Sequence, residues 1–234
     1  MIICLFRLRF LFFGRLDKSL IVKTISRLQY FTEENLLLTF EEQVKKVSSL
    51  GCDFIHLKMN NFSKEECFKT AKKSVKIARK NNAKLIVWDH PEIAEKVGAD
   101  GIHFSKTKPI DSKVFKKLKA QFILGSSVNN LDDILKIKND FDYLFLGPYE
   151  NRGSKDEGAQ IIGITGYKTV IDEMAKKNLN IPVLAAGGIR LTDVAFLAPS
   201  GIYGLAISCE ALTVHDVPLE IKKFQAAIIS GWEI

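Results

Sequence analysis

Five cations stand where a polypeptide could gather them around one anion: Lys58, Lys106, Lys108, Arg152 and Lys155. Each lies shortly after an apolar run, and hydroxyls and glycines occupy the same kind of place at Ser105, Ser126, Ser127, Ser154, Ser208 and the Gly187-Gly188 pair. Ammonium and guanidinium groups, hydroxyls and bare backbone N–H groups are the donors that hold phosphate or pyrophosphate. The remaining residues able to do chemistry share these run ends: His56, Asn60, Asp89, His90, His103 and Asn129. Several have a structural reading beside the functional one. Asp89 precedes Pro91 and fits the N-cap region of a helix. His103 fits a satisfied core histidine as well as a proton shuttle, and Trp88 fits core as well as a stacking wall. Glu150 is the carboxylate at hand if the lysines belong to an ion-pair network.

The elements that must position these residues alternate along the chain. Strands are expected over 27–32, 53–58, 84–88, 101–104, 122–125, 143–146, 182–186 and 202–207. Helices are expected over 40–50, from Ser63 to residue 80, from Pro91 to Gly98, and over 112–119, 131–138, 165–177 and 217–229, with a short one starting at Thr192-Asp193. The helix starts carry their signals: Thr39 as N-cap, Ser63 with Glu66 as a capping box, and Asn130 before Leu131. Most strands are continuous apolar runs, as in sheets buried on both faces. Eight strand–helix repeats with no G-x-G-x-x-G and no G-x-x-x-x-G-K-[ST] favour an α/β fold of one kind, a single (β/α)8 TIM barrel. Barrel sites lie at the carboxyl ends of the strands, so the residues above converge on one rim. Gly187-Gly188 then falls in the loop after strand seven, beside the usual barrel phosphate site.

Composition narrows the partners. The chain has 234 residues and a net charge of +7, suited to one barrel with anionic small-molecule ligands. Its lysines are spread over helical stretches without interleaved aromatics, which argues against a nucleic-acid partner. Cys4, Cys52, Cys67 and Cys209 form no C-x-x-C pair and fit a reducing cytoplasm. The apolar start, interrupted by Arg7 and Arg9, is too short to span a bilayer. It is read as an extension over residues 1–22, with the barrel domain over 23–234; a homo-oligomer is possible.

The pieces DFIHLK, KLIVWDHPEIAEKVGADGIHFSKTK, ILGSSVNN, DYLFLGPYENRGSK, IPVLAAGGI and GIYGLAIS, in this order, resemble the thiamine phosphate synthase/thiazole tautomerase family over roughly residues 27–208. The resemblance implies an enzyme of thiamine biosynthesis, a transferase that joins an aminopyrimidine diphosphate to a thiazole phosphate and releases pyrophosphate with magnesium. On that pattern Asp89 matches a magnesium ligand, Lys155 a lysine on the diphosphate, and Ser127 a serine beside the pyrimidine. Lys58 joins them as a catalytic candidate. Ser154, Gly187, Gly188, Ile207 and Ser208 match positions around the thiazole phosphate, with His56, Asn60, Lys108 and Arg152 as further binding candidates. The chain departs from the pattern at five places. The family's Gln-Leu-Arg-x-Lys is His56-Leu57-Lys58-Met59-Asn60 here, and Trp88 replaces the asparagine before the magnesium aspartate. Lys108 stands at the second aspartate, Arg152 at a loop threonine, and Asn129 at the tautomerase histidine. A thiazole tautomerase and a non-catalytic phosphate-binding barrel are the alternatives.

Overall fold

The computed structural model describes residues 23–34, 38–105, 111–137, 140–151, 160–208 and 217–232. The expectations placed on residues 1–22 and on Lys106, Lys108, Arg152, Ser154, Lys155 and Cys209 lie outside the described residues.

Eight strands form a closed barrel: β1 (Leu28–Phe31), β2 (Phe54–Leu57), β3 (Lys84–Trp88), β4 (Gly101–Phe104), β5 (Ile123–Val128), β6 (Tyr143–Leu146), β7 (Val183–Ala186) and β8 (Gly204–Ser208). Every neighbouring pair is parallel, and β8 returns to β1 with Phe31 opposite Ser208. The helices between them are α1 (Phe40–Ser49), α2 (Lys64–Lys80), α3 (Pro91–Val97), α4 (Ser112–Gln121), α5 (Leu131–Ile137), α6 (Gly163–Lys176), α7 (Val194–Leu197, between two 3-10 turns) and α8 (Val217–Trp232).

Local chemistry sets these boundaries. Thr39 and Ser63 each accept a bond from the third helical N–H while Glu42 and Glu66 reach back to the cap nitrogen, giving two reciprocal capping boxes. Asn130 Oδ1 accepts the Asp133 N–H at the start of α5. Gly98 ends α3 in the left-handed region at φ 68°. The largest departure from expectation is β5, which runs on through Ser126, Ser127 and Val128. Two serines and a glycine have weak strand propensity, but the ladder to β6 pairs Ser127 with Phe145 and Val128 with Leu146. Pairing with β6 overrides local preference.

Two apolar cores follow from strand alternation. The outer one packs strand residues such as Ile55, Leu85, Ile102, Leu144 and Leu205 against the helices. The inner one fills the barrel with Phe31, Phe54, Ile86, Trp88, Ile123, Tyr143, Phe145, Leu184 and Ala206. Ile25 closes its lower end. The segment before β1 crosses that lower opening to the far side, where Lys23 Nζ donates to the Lys119 carbonyl (2.8 Å), the Phe122 carbonyl (2.7 Å) and Asp142 Oδ2 (2.9 Å).

Candidate active site

Interior side chains of a (β/α)8 barrel stack in layers of four, each layer drawn from alternate strands. In one layer His56, His103 and Phe145 touch, with ring centroids 5.5 Å (His56–His103), 4.9 Å (His56–Phe145) and 4.5 Å (His103–Phe145) apart. The odd strands add Phe31, Trp88 and Ser127 above it; Trp88 stacks on His103 at 4.3 Å with 22° between the planes. Two residues further along the even strands, the alternation brings Lys58, Ser105, Gly147 and Ser208 to the mouth. The rim read from the sequence is therefore the upper opening of the barrel, at its carboxyl end.

Beneath the mouth lies a polar network inside the aromatic core. Trp88 Nε1–H donates to His56 Nδ1 at 3.0 Å, and an indole N–H can only donate. That leaves the His56 proton on Nε2, which faces Gln29 Oε1 at 2.7 Å. His103 is held at both nitrogens, by the Tyr143 hydroxyl (3.1 Å) and the Ser127 hydroxyl (2.9 Å). Both rings are fully buried, and burial pushes the His56 imidazole down to about 3. His103 lies well below the usual histidine range, first through burial and then through the nearby His56 and Lys58. Burial thus favours the neutral form of both rings. His56 does not reach the mouth, because Trp88 covers it. Ser127, half-buried at the top of β5, is the exposed end of the Tyr143–His103–Ser127 chain. Gln29 and Tyr143 complete the network from within apolar runs; the glutamine at the centre of the run 27–32 is the sequence signal for it.

Lys58 Nζ lies 5.1 Å from the Phe31 ring centroid and 5.2 Å from that of Trp88. Its backbone N–H donates to Thr32 Oγ1 at 3.1 Å, which ties the end of β2 to β1. The carboxylate beside it is Glu33, at 3.9 Å, and not Glu150. Among the described residues no acceptor lies within hydrogen-bonding distance of its ammonium.

Asp89 is exposed and left-handed, at φ 56°. Its Oδ1 accepts the Ser105 N–H at 2.9 Å, and its own N–H donates to the His103 carbonyl at 2.9 Å. It thus fastens the end of β3 to the end of β4. It does not cap α3, whose N-cap is His90 with no side-chain bond. A resident magnesium fits these residues poorly. Such an ion takes one or two carboxylates beside substrate phosphates. Here one oxygen of Asp89 is already engaged, position 108 is lysine in the sequence, and the described residues hold no group of three metal-ligating side chains.

The Gly187-Gly188 turn has a structural reason of its own. The two residues sit at φ 84° and 71°, and a Cβ on Gly188 would lie 2.1 Å from the Glu150 carbonyl oxygen. The loop after β6 packs into that space, with Tyr149 N–H donating to the carbonyls of Ala186 (2.9 Å) and Gly187 (3.0 Å). Beside it, Ser208 is nearly buried at the top of β8, next to Phe31. Ile207 belongs to the helix-facing core, so it can offer a ligand only its backbone. Asn60 is exposed beyond β2. Asn129 Nδ2 donates to the Gly147 carbonyl at 2.7 Å and acts as a loop staple. Cys52 and Cys67 are buried, and burial pushes the Cys52 thiol up to about 12.

Comparison with known proteins gives concordant matches. A family model described as thiamine monophosphate synthase matches residues 28–210. The chain is 31% identical over 187 residues to a thiamine-phosphate synthase of Flavobacterium johnsoniae, covering 78% of this chain and 87% of that one. It is 28% identical over 202 residues to the corresponding protein of Phocaeicola vulgatus, covering 86% and 97%. Among solved structures, thiamine phosphate pyrophosphorylase from Pyrococcus furiosus superposes with a TM-score of 0.74 at 23% identity, over 88% of this chain and 96% of that one. At that identity the superposition speaks for the fold.

Proposed function

This chain belongs to the thiamine monophosphate synthase family, and from that premise we propose that it is a transferase of thiamine biosynthesis. It joins an aminopyrimidine diphosphate to a thiazole phosphate. The thiazole ring nitrogen supplies the electron pair for the new N–C bond, the C–O bond to the diphosphate breaks, and its electrons leave on pyrophosphate. This chemistry asks the protein for charge stabilisation and placement more than for a base. The observation that carries the reading is the convergence of Lys58, Ser127 and Ser208 on one barrel mouth within the matched region.

The roles follow from position. Lys58, whose ammonium has no hydrogen-bond acceptor among the described residues, takes the diphosphate side. Ser127, oriented by His103, takes a polar edge of the pyrimidine. Ser208, the backbone of Ile207 and the Gly187-Gly188 turn take the thiazole phosphate. Lys108, Arg152, Ser154 and Lys155 complete the anion side in this proposal, on the resemblance alone. Asp89, with one oxygen engaged by the Ser105 N–H, ties the ends of β3 and β4 together at this rim. We assign the reaction to the cytoplasm. The tautomerase alternative needs a proton-transferring side chain at the mouth: His56 and His103 are buried in the barrel interior, Asn129 is an amide, and His90 is the half-buried histidine left for that role, beside Glu92 at 3.8 Å.

The test is direct. Purified protein given both substrates and magnesium should form thiamine phosphate, and Lys155→Ala should lower kcat by about 100-fold or more. No product from the wild-type chain would remove the synthase reading.

A further inference from the structure

Lysine is a flexible point charge, and a useful phosphate receptor must keep it in one place without using up its donors. A carboxylate in hydrogen-bond contact fixes an ammonium but claims its N–H groups and cancels its charge. An aromatic face attracts the same ammonium through the ring quadrupole and accepts few of its hydrogen bonds. The mouth of this barrel has the second arrangement. Lys58 lies 5.1 Å and 5.2 Å from the Phe31 and Trp88 ring centroids, and its ion pair with Glu33, at 3.9 Å, is too long for a hydrogen bond and leaves the N–H groups unused by that carboxylate. The cradle is itself fixed. Trp88 is pinned from below by the stack on His103 and by its N–H bond to His56, and Phe31 lies 6.1 Å from it across the strand ends. On the opposite side of the balance, the two positions the resemblance gives to metal carboxylates are compromised: one oxygen of Asp89 is engaged with Ser105, and residue 108 is a lysine.

We propose that Phe31 and Trp88 are positioning residues for Lys58, whose ammonium they hold at the barrel mouth as a fixed receptor for a phosphate oxygen that works without a divalent metal. The assignment of that phosphate to the diphosphate substrate rests on the function proposed above; the receptor itself does not. Trp88 therefore supplies a π face where the resemblance expects an asparagine's polar amide. A charge that a metal would bring is replaced in part by one that the fold holds ready.

Inorganic pyrophosphate is the probe, and calorimetry on the full chain gives the readout. Wild-type protein should bind it in EDTA with a Kd within about 3-fold of that measured in magnesium. Trp88→Leu and Phe31→Leu should each weaken binding about 5- to 10-fold, and Trp88→Phe, which keeps an aromatic face, should recover most of the loss. On a Lys58→Met background the Trp88→Leu change should have no further effect. Thermal melts of each variant separate folding from binding, and Phe31→Leu serves if Trp88→Leu does not fold. Binding that appears only with magnesium overturns the proposal. So does equal damage from Trp88→Phe and Trp88→Leu in folded protein, or full additivity with Lys58→Met. If pyrophosphate binds as expected but thiamine phosphate never forms, the synthase reading fails and the receptor stands.

Discussion

His56 and His103 share an interior layer, and each is bonded at both ring nitrogens to a neutral partner. Their folded forms are neutral, while in the unfolded chain a histidine titrates near 6.5. The sign follows: the unfolded state takes up more protons below about pH 6.5, so stability is full above that pH. It is lost as pH falls toward the folded value, about 3 for His56. Between pH 7.5 and 5.5 each histidine should remove about 1.4 kcal/mol of unfolding free energy, or roughly 2 to 3 kcal/mol for the pair. His56→Gln keeps a donor for Gln29 and an acceptor for Trp88 but cannot titrate. Urea unfolding of this variant should show about half the wild-type loss over the same interval; an unchanged loss would place the acid sensitivity elsewhere.

Among the elements, the segment before β1 has a role that its length does not suggest. Residues 23–27 plug the lower opening with Ile25 and reach β5 and β6 through Lys23. Tyr203 donates to the Ile25 carbonyl (2.7 Å), and Arg27 donates to the Tyr203 carbonyl (2.6 Å), which ties the same segment to β8. A single lysine thus links the start of the barrel to the strands diametrically across from β1. Lys23→Met keeps the stem but leaves two carbonyls and a partly buried carboxylate short of a donor. It should cost about 1 to 3 kcal/mol in urea unfolding, without changing substrate affinity at the opposite end of the barrel. A loss below about 0.3 kcal/mol would show that water replaces the ammonium freely.

At the scale of the whole molecule, the +7 charge is dispersed. Lys64, Lys69, Lys73, Lys117, Lys176 and Lys223 each face a glutamate on the helical shell, at 2.6 to 3.4 Å. Such pairs add little stability but break up any continuous basic stripe. No described helix is long and apolar enough to cross a membrane. Binding to heparin should therefore be weak and should be released by about 0.2 M salt, because few phosphates or sulfates would be engaged together. Retention beyond 0.5 M would restore a polyanion as a partner.

The barrel was legible in the chain because its signals are local. Capping residues at Thr39, Ser63 and Asn130, the glycine after α3 and eight short apolar runs each act within a few residues, and their alternation admits few topologies. The rim was legible too, since strand direction alone decides which run ends share a face. Three things depended on the closed structure. β5 extends through its serines because β4 pairs with it as far as Ser126 and β6 as far as Val128. The Gly187-Gly188 turn makes room for the backbone of the 148–150 loop, a neighbour distant in sequence. And whether His56 meets a ligand or the core was set by Trp88, 32 positions away, whose indole lies across it. Chain-local energies choose the elements; which polar side chain remains open to a ligand is decided by what packs over it, and that requires the barrel to close.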